Sequence, residues 1–296
     1  MVLSIIIPHY NDPALLEKLL MSIEFNDSTE VIVVDDHSNE QIEQFNLLKK
    51  RFNKVNFLVN DKDKKGAGSA RNKGLEASKA KWILFADSDD FFIKGYFQIV
   101  CEYLDSLYEI VFFKPTSVEL GTNIPSNRHL MYQELVEEAV NDDDIDFTNL
   151  RLNFVSPCSK LIKRDFITSH QLRFENVIAG NDVMFSIKAN FKAEKIAISN
   201  NVIYCITKSP GTLTQNNSKI IFYTRLGVFI RMYHYLQTIL PKSKFLSLNL
   251  YGSKYLRRAI KNKYSIKDIF KVYFILKKNK IPVLHKGIFL NYHKRN

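Results

Sequence analysis

The chain has 296 residues, 46% of them hydrophobic and 25% charged, which is enough for one large domain with an appendage or for two domains. Its three cysteines, Cys101, Cys158 and Cys205, are odd in number and far apart, which argues against a disulfide framework or a zinc cluster and favours a reducing cytoplasm. The N-terminal apolar run is too short for a signal peptide, and no run of 18 uncharged apolar residues predicts a membrane span.

The net charge of +11 is unevenly distributed. Residues 219–296 hold 18 Lys and Arg against a single acid, Asp268, whereas residues 1–218 carry a net charge of −6. The charge pattern therefore predicts a boundary near residue 218, between a mildly acidic body and a strongly basic tail.

Three units of strand followed by helix open the chain. Apolar runs predict strands at Val2–Ile7, ended by Pro8, and at Val31–Val34 and Val55–Val59. The helices that follow begin at Pro13, with Asp12 as the cap, at Gln41, and after a polar, glycine-bearing loop at 62–74. Because β-branched runs without alternation are separated by helices, the sequence predicts a parallel sheet covered on both faces.

A fourth apolar run, Trp82–Ala86, stops abruptly at Asp87, Asp89 and Asp90. Open α/β sheets bind their ligands at the carboxyl ends of their strands. Three carboxylates this close repel one another unless a cation or hydrogen-bond donors compensate, and a divalent metal shared with substrate phosphates is the usual compensation. The alternative is a solvated acidic turn before the next helix.

The second half of the body is less regular. Helices are predicted at 95–106, Arg128–Val140 and Val183–Phe191, strands at Glu109–Lys114, Ile196–Ile198 and Val202–Ile206, and a solvated acidic turn at Asn141–Asp144.

If the first strands are parallel, four loops converge on one edge of the sheet: Pro8–Asn11, Asp35–Asp36, Gly66–Arg71 and Asp87–Asp89. The absence of Gly-x-Gly-x-x-Gly after the first strand argues against a dinucleotide enzyme, and the absence of a Gly-Lys-Ser/Thr loop argues against a P-loop enzyme.

The residue types in these loops suit a nucleoside diphosphate. Tyr10 can stack on a base, and Asp36 can accept a hydrogen bond from a uracil imide or a ribose hydroxyl. Gly68 permits close backbone approach, and Arg71 supplies a guanidinium for phosphate or base.

Four segments, Ser4–Asn11, Val31–Ser38, Gly66–Gly74 and Phe85–Asp90, resemble the successive signatures of family 2 glycosyltransferases, in order and spacing, over residues 2–110. The resemblance implies an inverting enzyme of the GT-A fold, a Rossmann-like, mostly parallel sheet flanked by helices, here followed by a C-terminal basic helical extension. It also implies a nucleotide-diphospho-sugar donor, most often a UDP-sugar, and Mn²⁺ or Mg²⁺. The expected division is a catalytic domain at 1–218, with a nucleotide-sugar half at 1–110 and an acceptor half at 111–218, and a basic amphipathic tail at 219–296.

The resemblance also assigns residues to the donor site. The implied nucleotide-sugar group is Pro8, Tyr10, Asn11, Asp36, Gly68, Arg71, Asp87 and Ser88. Asp89 is the implied direct metal ligand, and Asp87 is a second ligand that also lies near the ribose.

The family's catalytic base sits in a Glu-Asp pair that opens a helix, and the corresponding place here reads Asn181-Asp182. Asp182 is therefore the implied base. An inverting transfer needs a carboxylate to take the proton of the attacking hydroxyl, while a metal offsets charge on the departing diphosphate. The alternative for Asp182 is an acid stabilised by the dipole of the helix that follows.

Other conspicuous residues receive plainer interpretations. His9 and His37 are interpreted as solvated or structural, and Cys158 as a packed thiol without a histidine partner. Lys160 resembles a recurrent lysine of the family and has no assigned role. Ser209–Thr214 resembles a loop that ends these catalytic domains and could close over the donor.

The tail reads as three helices, Ile220–Leu240, Lys244–Asn262 and Ile266–Lys278. A solvated helical cap explains their apolar spacing but not the excess of cations. A cationic amphipathic surface predicts an anionic membrane partner. Nucleic acid is less favoured because the body lacks its recognition motifs, and the apolar faces could also bury against a second copy in a homodimer.

The sequence thus predicts a metal-dependent transfer from a UDP-sugar to a hydroxyl of a glycan or lipid-linked glycan, such as lipopolysaccharide, capsule or a related surface polysaccharide. The protein is expected in the cytoplasm, peripheral on the inner face of the cell membrane. A sugar-phosphate nucleotidyltransferase is the first alternative, but it should carry a Gly-rich basic loop where Pro8–Asn11 stands. The second is a non-catalytic membrane- or nucleic-acid-binding protein of the same fold.

Overall fold

The computed structural model describes residues 1–141, 147–209 and 218–283. The chain divides into two compact units, Met1–Thr212 and Leu213–Asn296. The predicted acidic turn at Asp142–Asp144, most of the predicted loop at 209–214 and the end of the tail lie outside the described residues.

The strands of the first unit form one sheet. They are β1 (Leu3–His9), β2 (Thr29–Asp35), β3 (Asn56–Val59), β4 (Trp82–Phe85), β5 (Phe91–Phe92), β6 (Ile110–Glu119), β7 (Lys160–Lys163) and β8 (Ile196–Lys208). Among the described residues their order across the sheet is β3-β2-β1-β4-β7-β6-β8-β5. The first four strands run parallel, β6 and β8 pair in parallel, and β7 and β5 are antiparallel to their neighbours. A mostly parallel sheet is therefore confirmed, and it runs through both predicted halves of the body.

Helices flank this sheet. They are α1 (Pro13–Ser22), α2 (Ile42–Arg51), α3 (Ala67–Ala77), α4 (Tyr96–Cys101), α5 (Leu130–Asn141), α6 (Thr148–Asn153), α7 (Arg164–Ser169) and α8 (Val183–Lys192). The predicted cap of α1 is confirmed, since Asp12 Oδ1 accepts a hydrogen bond from Leu15 N at 3.1 Å.

The core lies on both faces of the central strands, since every residue of β1 and β4 is buried. A Cβ atom at Gly74 would lie 2.4 Å from Cγ2 of Ile6, so glycine allows α3 to rest directly on β1. On α8, the ring of Phe185 stacks on Phe174 at 4.0 Å and meets Phe85 of β4 edge-on at 5.6 Å. This aromatic packing fixes the start of α8 against the end of β4.

Several strand predictions are wrong in their boundaries. The strand predicted at Glu109–Lys114 is longer, since β6 continues to Glu119 along β8. β1 does not end at Pro8 but continues to His9, because pairing with β4 stops at Ile6 and the missing proline N–H falls beyond that ladder. The predicted strands Ile196–Ile198 and Val202–Ile206 are the single strand β8. The polar residues between them form a bulge opposite Phe113–Lys114, which a sequence pattern cannot distinguish from a turn.

The second unit is helical in its described part. Its helices are α9 (Lys219–Ile239), α10 (Lys242–Ser247), α11 (Ser253–Lys261) and α12 (Ile266–Lys278). The prediction of one helix over Lys244–Asn262 is wrong, because α10 ends at Ser247 and α11 begins at Ser253. Gly252 lies between them, where a Cβ atom would be 2.7 Å from Leu276 Cδ1. Tyr255 of α11 packs on Phe229 of α9 with ring centroids 5.0 Å apart. None of the helices in the described ranges is long and apolar enough to cross a bilayer.

Candidate active site

The loops after β1 and β2 are tied together by Asn11. Its Oδ1 accepts hydrogen bonds from the backbone N of Asn39 at 2.8 Å and of Glu40 at 3.1 Å, and its own N donates to Ser38 Oγ at 2.8 Å. Tyr10 beside it is 55% exposed, so its ring is open to a stacking partner. Pro8 is buried within β1, behind these loops.

Asp36 joins three loops at the same sheet edge. Its Oδ1 accepts from Asn60 Nδ2 at 2.7 Å, and its Oδ2 accepts from Gly66 N at 2.7 Å. The backbone N of Asp36 donates to His9 O at 2.8 Å. A carboxylate has about four acceptor positions, so the half-buried Asp36 keeps capacity for a further donor.

Helix α3 brings Arg71 under this edge. A Cβ atom at Gly68 would lie 2.5 Å from the carbonyl oxygen of Glu175, so the close approach that this glycine permits is to the segment leading into α8. Arg71 is 5% exposed and lies over the Phe174 ring at 5.3 Å. One terminal nitrogen donates to Asn181 Oδ1 at 3.0 Å, and the other is ion-paired with Asp87.

Three carboxylates follow β4, and one oxygen from each of Asp87, Asp89 and Asp90 lies within 4.8 Å of the others. Ser88, between the first two, is half-buried. Burial, with repulsion from Asp87, raises the pKa of Asp89 to about 6. The raised pKa shows that nearby protein groups do not fully offset the negative charge of these carboxylates. Carboxylate oxygens are ligands that Mg²⁺ and Mn²⁺ favour. This donor set fits a divalent cation.

Asp90 differs from the other two carboxylates in its burial: it is 4% exposed, whereas Asp87 and Asp89 are half-buried, and each of its oxygens accepts a hydrogen bond from β8. Tyr204 Oη donates to Oδ2 at 2.9 Å, and Thr207 N donates to Oδ1 at 2.7 Å. Burial, with repulsion from Asp89 and Asp87, raises the pKa of Asp90 well above its usual range. Asp87 and Asp89 are therefore the better metal ligands of the three.

Asp182 immediately precedes α8. Burial raises the pKa of this carboxyl group, and the Arg71 guanidinium opposes the rise. Its side chain accepts no capping hydrogen bond from the first turn of α8, so the arrangement is not that of an ordinary helix cap. The neighbouring Asn181 contacts Arg71, which in turn contacts Asp87, so polar contacts connect the start of α8 with the acidic turn.

Several side chains near the site carried no sequence signal. Tyr132 lies on α5: burial raises the pKa of its hydroxyl, and the Asp182 carboxylate adds to the rise. Arg128, just before α5, acts to lower the pKa of Asp89. Both come from the weakly patterned residues 117–150, and Tyr204 lies in an apolar strand, where a tyrosine ordinarily indicates packing.

The remaining candidates have structural surroundings. His9 is buried with its ring 4.7 Å from Phe45, and its ring nitrogens have no hydrogen-bond partner among the described residues. His37 lies in the loop after β2, with Nε2 3.1 Å from Asp61 O. Cys158 is buried. Lys160 donates to Phe154 O at 2.6 Å and to Asn190 Oδ1 at 3.2 Å, and burial lowers its pKa to about 7.

The order and geometry of these elements match a known family. The model of the family described as "Glycosyl transferase family 2" matches residues 4–169, more than half of the chain. The chain belongs to this family. Among curated relatives, the poly(ribitol-phosphate) beta-N-acetylglucosaminyltransferase TarS of Staphylococcus aureus strain MW2 is 27% identical over 220 residues. The match covers 71% of this chain and 36% of TarS, so the chain spans about a third of the length of that relative.

Solved structures support the fold. The crystal structure of S. aureus TarS 1–349 in complex with UDP-GlcNAc superposes with a TM-score of 0.65 at 23% identity, over 88% of this chain and 73% of that one. The mannosyltransferase PcManGT from Pyrobaculum calidifontis, in complex with GDP-Man and Mn²⁺, gives a TM-score of 0.56 at 14% identity over 88% and 73% of the chains. The expected GT-A architecture of the α/β unit is confirmed.

Proposed function

We propose that this protein transfers a sugar from a UDP-sugar to an acceptor hydroxyl, with inversion at the anomeric carbon and with a divalent metal. One observation carries the proposal: the contacts from Asp87 through Arg71 to Asn181 bring the candidate metal ligands to the same site as Asp182. TarS, which binds UDP-GlcNAc in its crystal structure, shares the fold and supports a UDP-sugar as donor.

The donor's nucleoside lies, in this proposal, between the loops after β1 and β2. Tyr10 stacks on the base, and Asp36 accepts from the imide or a ribose hydroxyl with its unused lone pairs. Pro8 and Asn11 shape the loops that hold these two groups. The roles of Asn11 and Gly68 are structural: Asn11 ties the loops, and Gly68 lets α3 approach Glu175.

The diphosphate lies at the acidic turn. Asp89 and Asp87 hold Mn²⁺ or Mg²⁺, and Ser88 lies next to the donor between them. A bound divalent cation neutralises charge that develops on the departing diphosphate. Arg71 keeps Asp87 oriented through their ion pair, which is buried on the arginine side.

Asp182 is the proposed general base. In its ionised form it takes the proton of the acceptor hydroxyl as that oxygen attacks the anomeric carbon. Its raised pKa brings its basicity closer to neutral pH, as proton abstraction requires. Tyr132 interacts electrostatically with Asp182, and Arg128 interacts with Asp89. Both residues belong to the proposed acceptor half.

The acceptor is proposed to be a hydroxyl of a surface glycan or of a lipid-linked glycan precursor. The curated relative is named for poly(ribitol-phosphate), which makes a polyol-phosphate polymer the first acceptor to test. In this assignment residues 1–218 form the catalytic domain, with the donor half at 1–110 and the acceptor half at 111–218. Membership of family 2 argues against the alternative of a sugar-phosphate nucleotidyltransferase.

The test is donor binding and hydrolysis by purified protein over UDP-GlcNAc, UDP-Glc, UDP-Gal and UDP-GalNAc, with Mn²⁺ and with EDTA. We expect one donor to bind and turn over in a metal-dependent way, and Asp89→Asn and Asp182→Asn to abolish turnover. Asp105→Asn, which alters a fully exposed carboxylate, is the matched control and should behave as wild type. Failure of every UDP-sugar under every metal condition would refute the donor assignment.

We also propose that the tail, residues 219–296, binds an anionic membrane surface on the cytoplasmic side. The outward face of α12 supports this. Ile266, Phe270 and Phe274 are exposed apolar side chains, at 71%, 57% and 60%. The exposed lysines 267, 271, 277 and 278 lie among or beside them at helical spacing. Aromatic residues flanked by lysines suit the boundary between headgroups and acyl chains.

Vesicle sedimentation tests the tail. Lys267→Gln, Lys271→Gln and Lys278→Gln together should weaken binding to vesicles containing phosphatidylglycerol, with little binding of any variant to phosphatidylcholine alone. The control removes three exposed lysines of the body, Lys50, Lys54 and Lys65, and makes the same change in net charge. Equal loss in both triple variants would show a nonspecific charge effect. A change in oligomeric state without lipid binding would favour the homodimer.

A further inference from the structure

Tyr204 of β8 is buried completely, and its hydroxyl lies between the two ends of the acidic turn. Tyr204 Oη accepts a hydrogen bond from the backbone N of Asp87 at 2.8 Å and donates one to Asp90 Oδ2 at 2.9 Å. The pairing of Phe92 with Tyr204 in the β5–β8 ladder brings the tyrosine to this position from a distant part of the sequence.

The hydrogen bond from Asp87 N determines where the Tyr204 hydroxyl proton points. A phenolic hydroxyl has one proton, so once Oη accepts from the Asp87 N–H, that proton is directed at Asp90. Asp90 also accepts from Thr207 N at 2.7 Å, so both of its oxygens are held by β8. Tyr204 and Asp90 are both buried, where a low local dielectric strengthens hydrogen bonds, which makes this arrangement a rigid brace.

The brace encloses the proposed metal ligands. Asp87 and Asp90 are the first and last residues of a four-residue turn, and Asp89 lies between them. Holding both ends limits the positions that the Asp87 and Asp89 carboxylates can take. Groups behind the ligands of a metal ion commonly orient those ligands in this way.

We infer that Tyr204 is a positioning residue for the divalent metal, acting through Asp87 N and the Asp90 carboxylate, and that Asp90 is an anchor and not a third ligand. The inference rests on the proposed function, because it presumes that Asp87 and Asp89 hold the cation.

The test is Tyr204→Phe, which removes the hydroxyl and keeps the ring that packs against Phe92 at 5.3 Å. We expect Mn²⁺ affinity in the presence of UDP, measured by titration of the free-Mn²⁺ electron paramagnetic resonance signal, to fall by about 10–100-fold. In transfer assays the KM for Mn²⁺ should rise by a similar factor, and kcat should recover substantially at saturating Mn²⁺.

Tyr96→Phe is the matched control. Tyr96 is also fully buried and stacks on the same Phe92 at 4.3 Å, but its hydroxyl forms no hydrogen bond with the acidic turn. Its removal should leave Mn²⁺ affinity unchanged. Circular dichroism melting of both variants checks that they are folded at the assay temperature.

The outcomes separate the inference from the proposed function. If the wild type binds no Mn²⁺ with UDP, the metal assignment itself fails. If the wild type binds Mn²⁺ and Tyr204→Phe binds it equally well, or if Tyr96→Phe loses as much, the positioning role is overturned. Should Tyr204→Phe not fold, hydrogen exchange of the wild-type amide at Asp87 decides: slow exchange, comparable with β4, supports the brace, and fast exchange overturns it.

Discussion

Arg71 and Asp87 form an ion pair that links α3 to the end of β4, and the same guanidinium donates to Asn181 Oδ1 at 3.0 Å. The arginine therefore holds the proposed metal ligand and the residue before the proposed base at once. A planar guanidinium can make both contacts because its donors point in fixed, divergent directions.

Arg71→Lys should separate charge from geometry. A lysine keeps the positive charge but cannot reach Asp87 and Asn181 together, so we expect the KM for the UDP-sugar to rise by about tenfold or more. The free energy of unfolding should fall by about 1–3 kcal/mol, because the buried arginine's hydrogen bonds to the half-buried Asp87 and Asn181 are lost. Arg51→Lys, at an exposed ion pair with Glu17, is the control for steady-state kinetics and urea unfolding. An unchanged KM in Arg71→Lys would contradict this role.

At saturating Mn²⁺, which keeps the Asp89 carboxylate ionised, the pH dependence of transfer should report the ionisation of Asp182. The base works only when ionised, so kcat/KM should fall tenfold per pH unit below the pKa of Asp182. Because burial raises that pKa, the fall should begin above the ordinary aspartate range near about 4. Asp182→Asn should lose about 100-fold or more of kcat at neutral pH and should lack this limb. A wild-type profile that stays flat down to the ordinary range would contradict the assignment.

Lys160 should make stability depend on pH above neutrality. Burial lowers its pKa to about 7, whereas an unfolded lysine titrates near about 10.4. Between these two pKa values Lys160 is protonated in the unfolded chain but neutral in the folded protein. The wild-type free energy of unfolding therefore increases as the pH rises, by on the order of 3–5 kcal/mol in total.

Lys160→Met removes this contribution. Phe154 O keeps a donor in the variant, since Asn190 Nδ2 also bonds it at 3.0 Å. Any stability advantage of Lys160→Met over wild type at pH 6 should therefore shrink by pH 9, measured by urea unfolding at each pH. Lys192→Met, at an exposed position of α8, should differ from wild type by a constant amount. The same constant difference for Lys160→Met would contradict the prediction.

Gly68→Ala tests the contact between α3 and the segment before α8. The new methyl group would lie 2.5 Å from Glu175 O and 2.9 Å from Asn181 Cβ, so the two segments must separate. We expect a loss of about 1–3 kcal/mol in stability and, because Asn181 moves, weaker donor binding. Glu76→Ala, on the exposed side of α3, should change stability by less than about 0.5 kcal/mol. Calorimetry and donor titration together check both effects, and unchanged values for Gly68→Ala would show that the segments can move apart freely.

Local patterns predicted much of the α/β unit. The runs around Val31–Val34 and Trp82–Ala86 became central buried strands because unbroken apolar runs can be accommodated only inside a covered sheet. The Asp12-Pro13 start of α1 was predictable because capping depends on adjacent residues. The sequence did not predict the two-residue β5 or the bulge that joins two predicted strands into β8. Both depend on pairing with strands far away in the sequence.

The sequence by itself determined the family, the parallel direction of the first strands and the acidic turn, because these follow from residue types at short, fixed spacings. Only the tertiary structure decided which partners those residues have. It places Asn181 within hydrogen-bond distance of Arg71, and Asp90 within hydrogen-bond distance of Tyr204 and Thr207. It also buries Lys160 among backbone and amide acceptors. Apart from the bond between Lys160 and the nearby Phe154, these contacts join residues 30 to 117 positions apart in the chain. They depend on how strands and helices stack, a long-range property that no local pattern encodes.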